Sequence, residues 1–170
     1  MFDALYPWMH MVGRILFAMV FIASGIGHFT QKSGMVGYAQ SKGAPAPKII
    51  VPVTGAMIIV GGVLVALGWH RFIGAGLLFL FLVPTALVMH AFWKEKDPMA
   101  RMNEMIHFQK DMALAGAALL FAYYAGWSWP VSLGGLSRRT RLEQLERRRR
   151  DDPAPPFQRF RALTYRRDIS

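Results

Sequence analysis

An all-α integral membrane protein, a bundle of four transmembrane helices with a basic cytoplasmic tail, is the fold class this sequence predicts. Three observations predict it. Four stretches contain no Asp, Glu, Lys or Arg, namely residues 15–31, 49–70, 72–93 and 112–137. Of the 170 residues 54% are hydrophobic, and the mean hydropathy is +0.27, too apolar for an ordinary basic soluble protein. The formal charge of +10 is unevenly placed: residues 1–135 hold nine basic and five acidic side chains, whereas residues 136–170 hold eleven and five. The chain is an apolar body carrying a basic tail.

A helix needs about 20 mostly apolar residues to cross the hydrocarbon, because each residue advances it by about 1.5 Å. The last three stretches reach that length directly. The first reaches it when Arg14 snorkels toward the headgroups, which extends the span back to about Trp8. These runs are apolar all round, unlike the one-sided helices of a soluble bundle. The predicted spans are 8–31, 49–69, 72–93 and 107–129, in a domain covering 1–135. Residues 31–48 contain Gly34, Gly37, Gly43, Pro45 and Pro47, so they read as a loop with one short interfacial helix around 35–41. Pro52 falls in the tolerant first turns of the second span. Trp69, His70 and Arg71 form a tight hairpin to the third, where Pro84 predicts a kink. Residues 94–105 alternate charges around Pro98 and read as a loop. Gly62 with Ala66, and Ala118, Ala122 and Gly126, place small residues on one helix face, where backbones approach closely in lipid.

Residues 136–170 form the tail. Leu142 and Leu145 give its first half a narrow apolar edge among Arg138, Arg139, Arg141, Arg147, Arg148, Arg149 and Arg150. After DDPAPP, Phe157, Phe160 and Leu163 alternate with Arg159 and Arg161. Arginine interleaved with aromatic residues suits anionic lipid headgroups or an acidic protein partner, and a membrane tether argues against nucleic acid. The basic residues near the span ends favour both termini in the cytoplasm. The first 13 residues lack the basic start of a signal peptide. With no cysteine, disulfides and cysteine-ligated clusters are excluded. There is no P-loop, GxGxxG, GxSxG or HExxH, so no recognisable soluble active site is present.

Four spans bring His28, His90 and His107 to one membrane interface, opposite His10 and His70. Glu104, His107 and Asp111, spaced by three and four, form one stripe beside Lys110. Ionisable groups in a span usually face the bundle interior. Three readings of this cluster stay open. The first is anchoring at headgroup depth. In the second, His28, His90, His107 and Asp111 form a quinone pocket, where imidazole and carboxyl groups hydrogen-bond the carbonyl oxygens and exchange protons. The third is a haem or metal held by the histidines; a macrocycle so close to a loop, and the want of a second carboxylate or cysteine at ligand spacing, argue against it.

The runs GRILFAMVFIASGIGHF (13–29), GAPAP (43–47), GG then LG (61–68) and HFQKDMALAGAALL (107–120) together resemble the DoxX family over about residues 8–130. The resemblance implies a small four-span protein of the bacterial inner membrane. It also implies association with redox complexes, since the family is named for a subunit associated with thiosulfate:quinone oxidoreductase and a terminal quinol oxidase. Ile58 stands where many relatives carry glutamate, His28 where many carry lysine, and Lys110–Asp111 where a lysine–asparagine pair is usual. The expected role is an accessory subunit of a quinone-linked respiratory complex, its partners being the bilayer and the other subunits; catalysis by the chain alone is not expected. The competing expectation is a structural subunit that stabilises a larger assembly through its spans and tail. A four-span carrier fits less well, because inverted repeats and broken half-helices are not apparent.

Overall fold

The computed structural model describes residues 2–127, 129 and 131–151, and its described residues contain helices and turns but no strand. Six α-helices follow in order: α1 Phe2–Thr30, α2 Lys32–Ser41, α3 Pro47–Leu67, α4 Arg71–Met89, α5 Pro98–Tyr123 and α6 Leu133–Asp151. Short 3₁₀ turns occupy Phe92–Lys94 and Tyr124–Gly126. The chain divides into two units, Met1–Gly135 and Leu136–Ser170. In the first, α3 packs between α1 and α4, and α4 packs on α5. The second contains most of α6, on which Arg141, Leu142, Leu145 and Arg147 are exposed.

Among the described residues three helical segments are long and apolar enough to cross a membrane: Leu5–Thr30, Pro47–Leu67 and Arg71–Lys94. Leu16, Val53, Phe72 and Leu80 point outward from them, as lipid-facing side chains do. The expected fourth span differs from these three. Its helix, α5, is 26 residues long but carries Arg101, Glu104, Lys110 and Asp111 between its first turn and its midpoint. The sequence 94–105, expected to be loop, is already helical from Pro98, because Asp97 caps the start: its Oδ2 accepts from the Ala100 amide at 2.7 Å, and Pro98 sits where a missing N–H costs nothing. At the other end α5 stops at Tyr123 and the chain turns back. The interfacial helix foreseen around 35–41 begins earlier, at Lys32. Pro84 lies inside the continuous α4.

Close helix contact is made by glycine. A Cβ on Gly25 would stand 2.8 Å from the Gly55 carbonyl oxygen, and one on Gly55 would stand 2.5 Å from the His28 Cβ, so α1 and α3 touch backbone to backbone. Gly61 and Gly74 face each other the same way across α3 and α4, each with a virtual Cβ 3.0–3.1 Å from the other's carbonyl oxygen. Around these contacts Phe21, Ile58, Val65, Leu78, Leu82 and Ala118 form the buried core. No hydrophobic driving force joins helices in lipid, so this proximity, with the dispersion it permits, holds the bundle together. Between α1 and α5 the contact is aromatic: Phe17 lies 4.9 Å from Phe121, whose ring lies 5.6 Å from Trp129.

Candidate functional site

The carboxyl ends of α1 and α4 and the amino ends of α3 and α5 meet at one end of the bundle, with α2 and the turn Phe92–Lys94. This end is polar. α4 stops at Met89, and the C-cap His90 leaves the helix with φ −114°, so its ring swings toward α5. The His90 Nδ1 lies 2.8 Å from Glu104 Oε2, and its Nε2 lies 3.6 Å from Asp111 Oδ2. The His107 ring stacks on it at 5.1 Å and 25°. Lys110, on the exposed side, approaches His107 Nδ1 at 3.4 Å and Asp111 Oδ1 at 3.7 Å. From α2, Lys42 donates to Glu104 Oε1 at 2.6 Å and to Glu95 Oε1 at 2.7 Å, and the Tyr38 hydroxyl donates to Glu104 Oε1 at 3.2 Å. Asp111 is 6% exposed, the one buried carboxylate among the described residues.

The structure thus brings together His90, His107 and Asp111, three of the four residues expected to share a site. His28 is held otherwise. Its Nδ1 donates to the Ser24 carbonyl at 2.9 Å and its ring meets Phe81 edge-on at 6.1 Å. Sequence reading missed Tyr38, Lys42 and Glu95: the first two lie in and just after the short helix expected around 35–41 and the third in the 94–105 connection, and the helical stripe that linked Glu104 to Asp111 carries no information about what crosses from α2. Of the tail arginines, Arg141 and Arg147 are exposed; the side chains of Arg138, Arg139, Arg148, Arg149 and Arg150, and the whole of Phe157, Arg159, Phe160, Arg161 and Leu163, lie outside what is described. No group of three histidine or acidic residues among the described ones has the arrangement of a metal site.

Burial alone would raise the Glu104 pKa, but the hydrogen bonds from Lys42 and His90 outweigh it and hold the carboxyl below its usual range. Burial would lower Lys42, yet its bonds to Glu104 and Glu95 push it well above an ordinary lysine. Burial, then the Glu104 charge, raises the Tyr38 phenol. Because folding lowers the Glu104 pKa, its contribution to stability is complete above the ordinary value of 4.5 and is lost as the pH falls through the lower folded value. The thermal midpoint in detergent should therefore drop on acidification below about pH 4, and Glu104→Gln should flatten that drop.

The opposite end is closed by the chain itself. Trp127, Trp129, Val131 and Ser132 lie over it, and Trp129 is buried at 3% exposure and meets His10 edge-on at 4.9 Å. Two arginines hold this segment. The guanidinium of Arg14, itself 3% exposed, donates to the Val131 carbonyl, and Arg71 donates to the Trp127 carbonyl at 2.8 Å while lying 5.0 Å from the Trp129 ring. A cavity of 390 Å³ opens beside it, lined by His70, Arg71, Phe72, Ala122 and Gly134 among others. It is remote from His90 and Asp111. Replacing Arg71 by glutamine should cost about 1.5 kcal/mol, read as faster amide exchange at Trp127, Trp129, Val131 and Ser132 with the rest of the bundle unchanged.

A helical bundle with three membrane-length apolar segments and an ion-paired cluster at one end defines a small integral membrane protein. Its family follows from comparison. The sequence profile of the DoxX family matches residues 9–91. Over 121 residues the chain is 31% identical to inner membrane protein YphA of Escherichia coli (strain K12), covering 71% of this chain and 86% of that one. The chain belongs to the DoxX family. No solved structure matches it.

Proposed function

We propose that this protein is an accessory inner-membrane subunit of a quinone-linked respiratory or redox complex, in which His90, His107 and Asp111 border a quinone route. The reading of α5 as a fourth span belongs to this proposal: its apolar half packs Ala115 and Ala118 inward, and Lys110 reaches to headgroup depth. Both termini are then cytoplasmic, and the cluster lies at the other surface. One observation carries the proposal, the buried Asp111 carboxyl beside two stacked imidazoles at the end of an apolar bundle. These residues fit a quinone in their donor chemistry: His90 engages Glu104 with one ring nitrogen and keeps the other toward Asp111, and His107 is exposed. A bound quinone supplies two-electron chemistry, the electrons coming from partner subunits. This chain's residues supply hydrogen bonds and a place to hold a proton.

The experiment is photolabelling of the mild-detergent complex with an azido-quinone. Labelling of this subunit that disappears in His107→Ala and Asp111→Ala, with the complex intact, supports the proposal. Equal labelling in the variants, or none in the native complex, sinks it. A structural role is the second reading, favoured by the exposed Arg141, Arg147, Leu142 and Leu145 on α6. Deleting residues 137–170 would then release the subunit from its complex while leaving it in the membrane; retention in the complex refutes a protein clamp, and salt-sensitive loss of binding to anionic vesicles assigns the tail to lipid headgroups.

A further inference from the structure

The polar end of the bundle is ordered as a line. Glu95 and Lys42 stand at the aqueous side, with side chains 30% and 19% exposed; Glu104 and His90 follow at 13% and 15%, and Asp111 ends the series at 8%. Glu104 divides its two oxygens. Oε1 accepts from Lys42 and Tyr38, and Oε2 faces the ring of His90. A carboxylate only accepts, so Nδ1 of His90 carries a hydrogen, and whenever the ring is neutral its acceptor nitrogen is Nε2, turned toward Asp111. Charge arithmetic makes the same point. Lys42 and Lys110 face Glu95, Glu104 and Asp111, two cations against three carboxylates, so the cluster is neutral only when it holds one further proton. That proton has two homes, the His90 ring and the Asp111 carboxyl. Lys42, bound between two glutamates, is a fixed counter-charge.

We propose that Glu104, His90 and Asp111 form a proton relay connecting the aqueous face at Tyr38, Lys42 and Glu95 with the buried carboxyl of Asp111. With the ring flipped so that Nδ1–H faces Asp111 and the bare Nε2 faces Glu104, a proton reaching Glu104 from water passes to Nε2 and the ring releases its Nδ1 proton to Asp111, which leaves the hydrogen on the Glu104 side and the ring ready to flip again. No bond other than O–H and N–H changes. The 3.6 Å gap between the ring and Asp111 closes by a small side-chain swing or through one water. The groups facing Asp111 are His90, at the end of α4, and Lys110 and His107 on its own helix; those facing Glu104 are Tyr38, Lys42 and His90. His107, stacked on the His90 ring, keeps that ring in its plane. This inference deepens the proposed function and rests on its reading of Asp111 as a proton-exchanging group, although the relay needs no quinone to operate.

The test follows the full-length protein in nanodiscs, without quinone, by time-resolved infrared spectroscopy after an acid jump. A carboxylic-acid C=O band absent from Asp111→Asn reports Asp111. In His90→Ala the band should grow about a hundredfold more slowly, and added imidazole should restore the rate, which a purely structural role of His90 would not allow. Glu104→Gln should slow it too and should not respond to imidazole. An Asp111 band that forms at the native rate in both variants, or is absent from the native protein at every pH, overturns the relay. The native spectrum decides alone if His90→Ala does not fold. Because no quinone is present, a failed labelling experiment leaves the relay standing, and a failed relay leaves quinone labelling as it was.

Discussion

Gly55→Leu should separate α1 from α3 and leave the protein without its folded bundle. A side chain at this position has nowhere to go. Its Cβ alone would lie 2.5 Å from the His28 Cβ and 3.2 Å from the Phe29 ring, and Gly25 opposite already brings its backbone against the Gly55 carbonyl. The Phe29 ring can give way, but the His28 Cβ is fixed to the α1 backbone, so the helices must move apart, losing the close contact that is their main attraction in lipid. The cost expected is about 3 kcal/mol or more, read as loss of the cooperative melting transition in detergent. Gly76 supplies the control. It sits on the exposed face of α4 with nothing within 4 Å of a virtual Cβ, and Gly76→Leu should melt like the native protein. Equal melting of Gly55→Leu would show that the α1–α3 crossing is looser than described.

Lys42→Met should cost nearly as much, for an electrostatic reason. Methionine keeps the aliphatic stem but removes the ammonium group that two carboxylates share, leaving Glu95 and Glu104 without their common partner. Stranding a partly buried carboxylate costs about 3 kcal/mol, discounted from the fully buried case because these side chains retain some contact with water. Glu104→Gln made in the Lys42→Met background should then be nearly neutral, since the charge it removes is already unwelcome. The two substitutions together should be far less damaging than their separate costs added, in a double-mutant cycle read by melting. Strict additivity would mean that Lys42 and Glu104 do not interact in the bilayer-embedded protein.

Much of the helical architecture was legible because it follows from one-dimensional patterns. An uncharged run of membrane length, a Gly–Trp–His–Arg hairpin and a Gly/Pro-rich connection each speak through composition, and they place α1, α3 and α4 near their observed bounds. The first turns of α5, from Pro98, were not legible as helix, because the Asp97 cap is a local hydrogen bond rather than a hydrophobic signal. Of the site, the Glu104–His107–Asp111 stripe was readable from helical spacing, and His90 from its position at a span end. The contribution of α2 was hidden, since pairing Lys42 with Glu104 requires knowing how two connections fold over the same bundle end. His28 misled for the converse reason: a residue can sit at the right depth and still point its ring at its own helix and Phe81. Gly25 and Gly55 carried no signal as a pair either, for a crossing point is a property of two sequences at once.

The contact between Arg14 and Val131 joins residues 117 positions apart. At synthesis rates of about 5–20 residues per second, such residues emerge on the order of ten seconds apart. Throughout that interval α1 has an arginine near its amino end and no carbonyl from the closing segment to receive it. The cheapest place for that charge is the headgroup layer, so α1 is expected to sit shallow in the bilayer while the helices after it are made. The contact therefore ties α1 to a segment made long after it, across every helix of the bundle that lies between them in the chain.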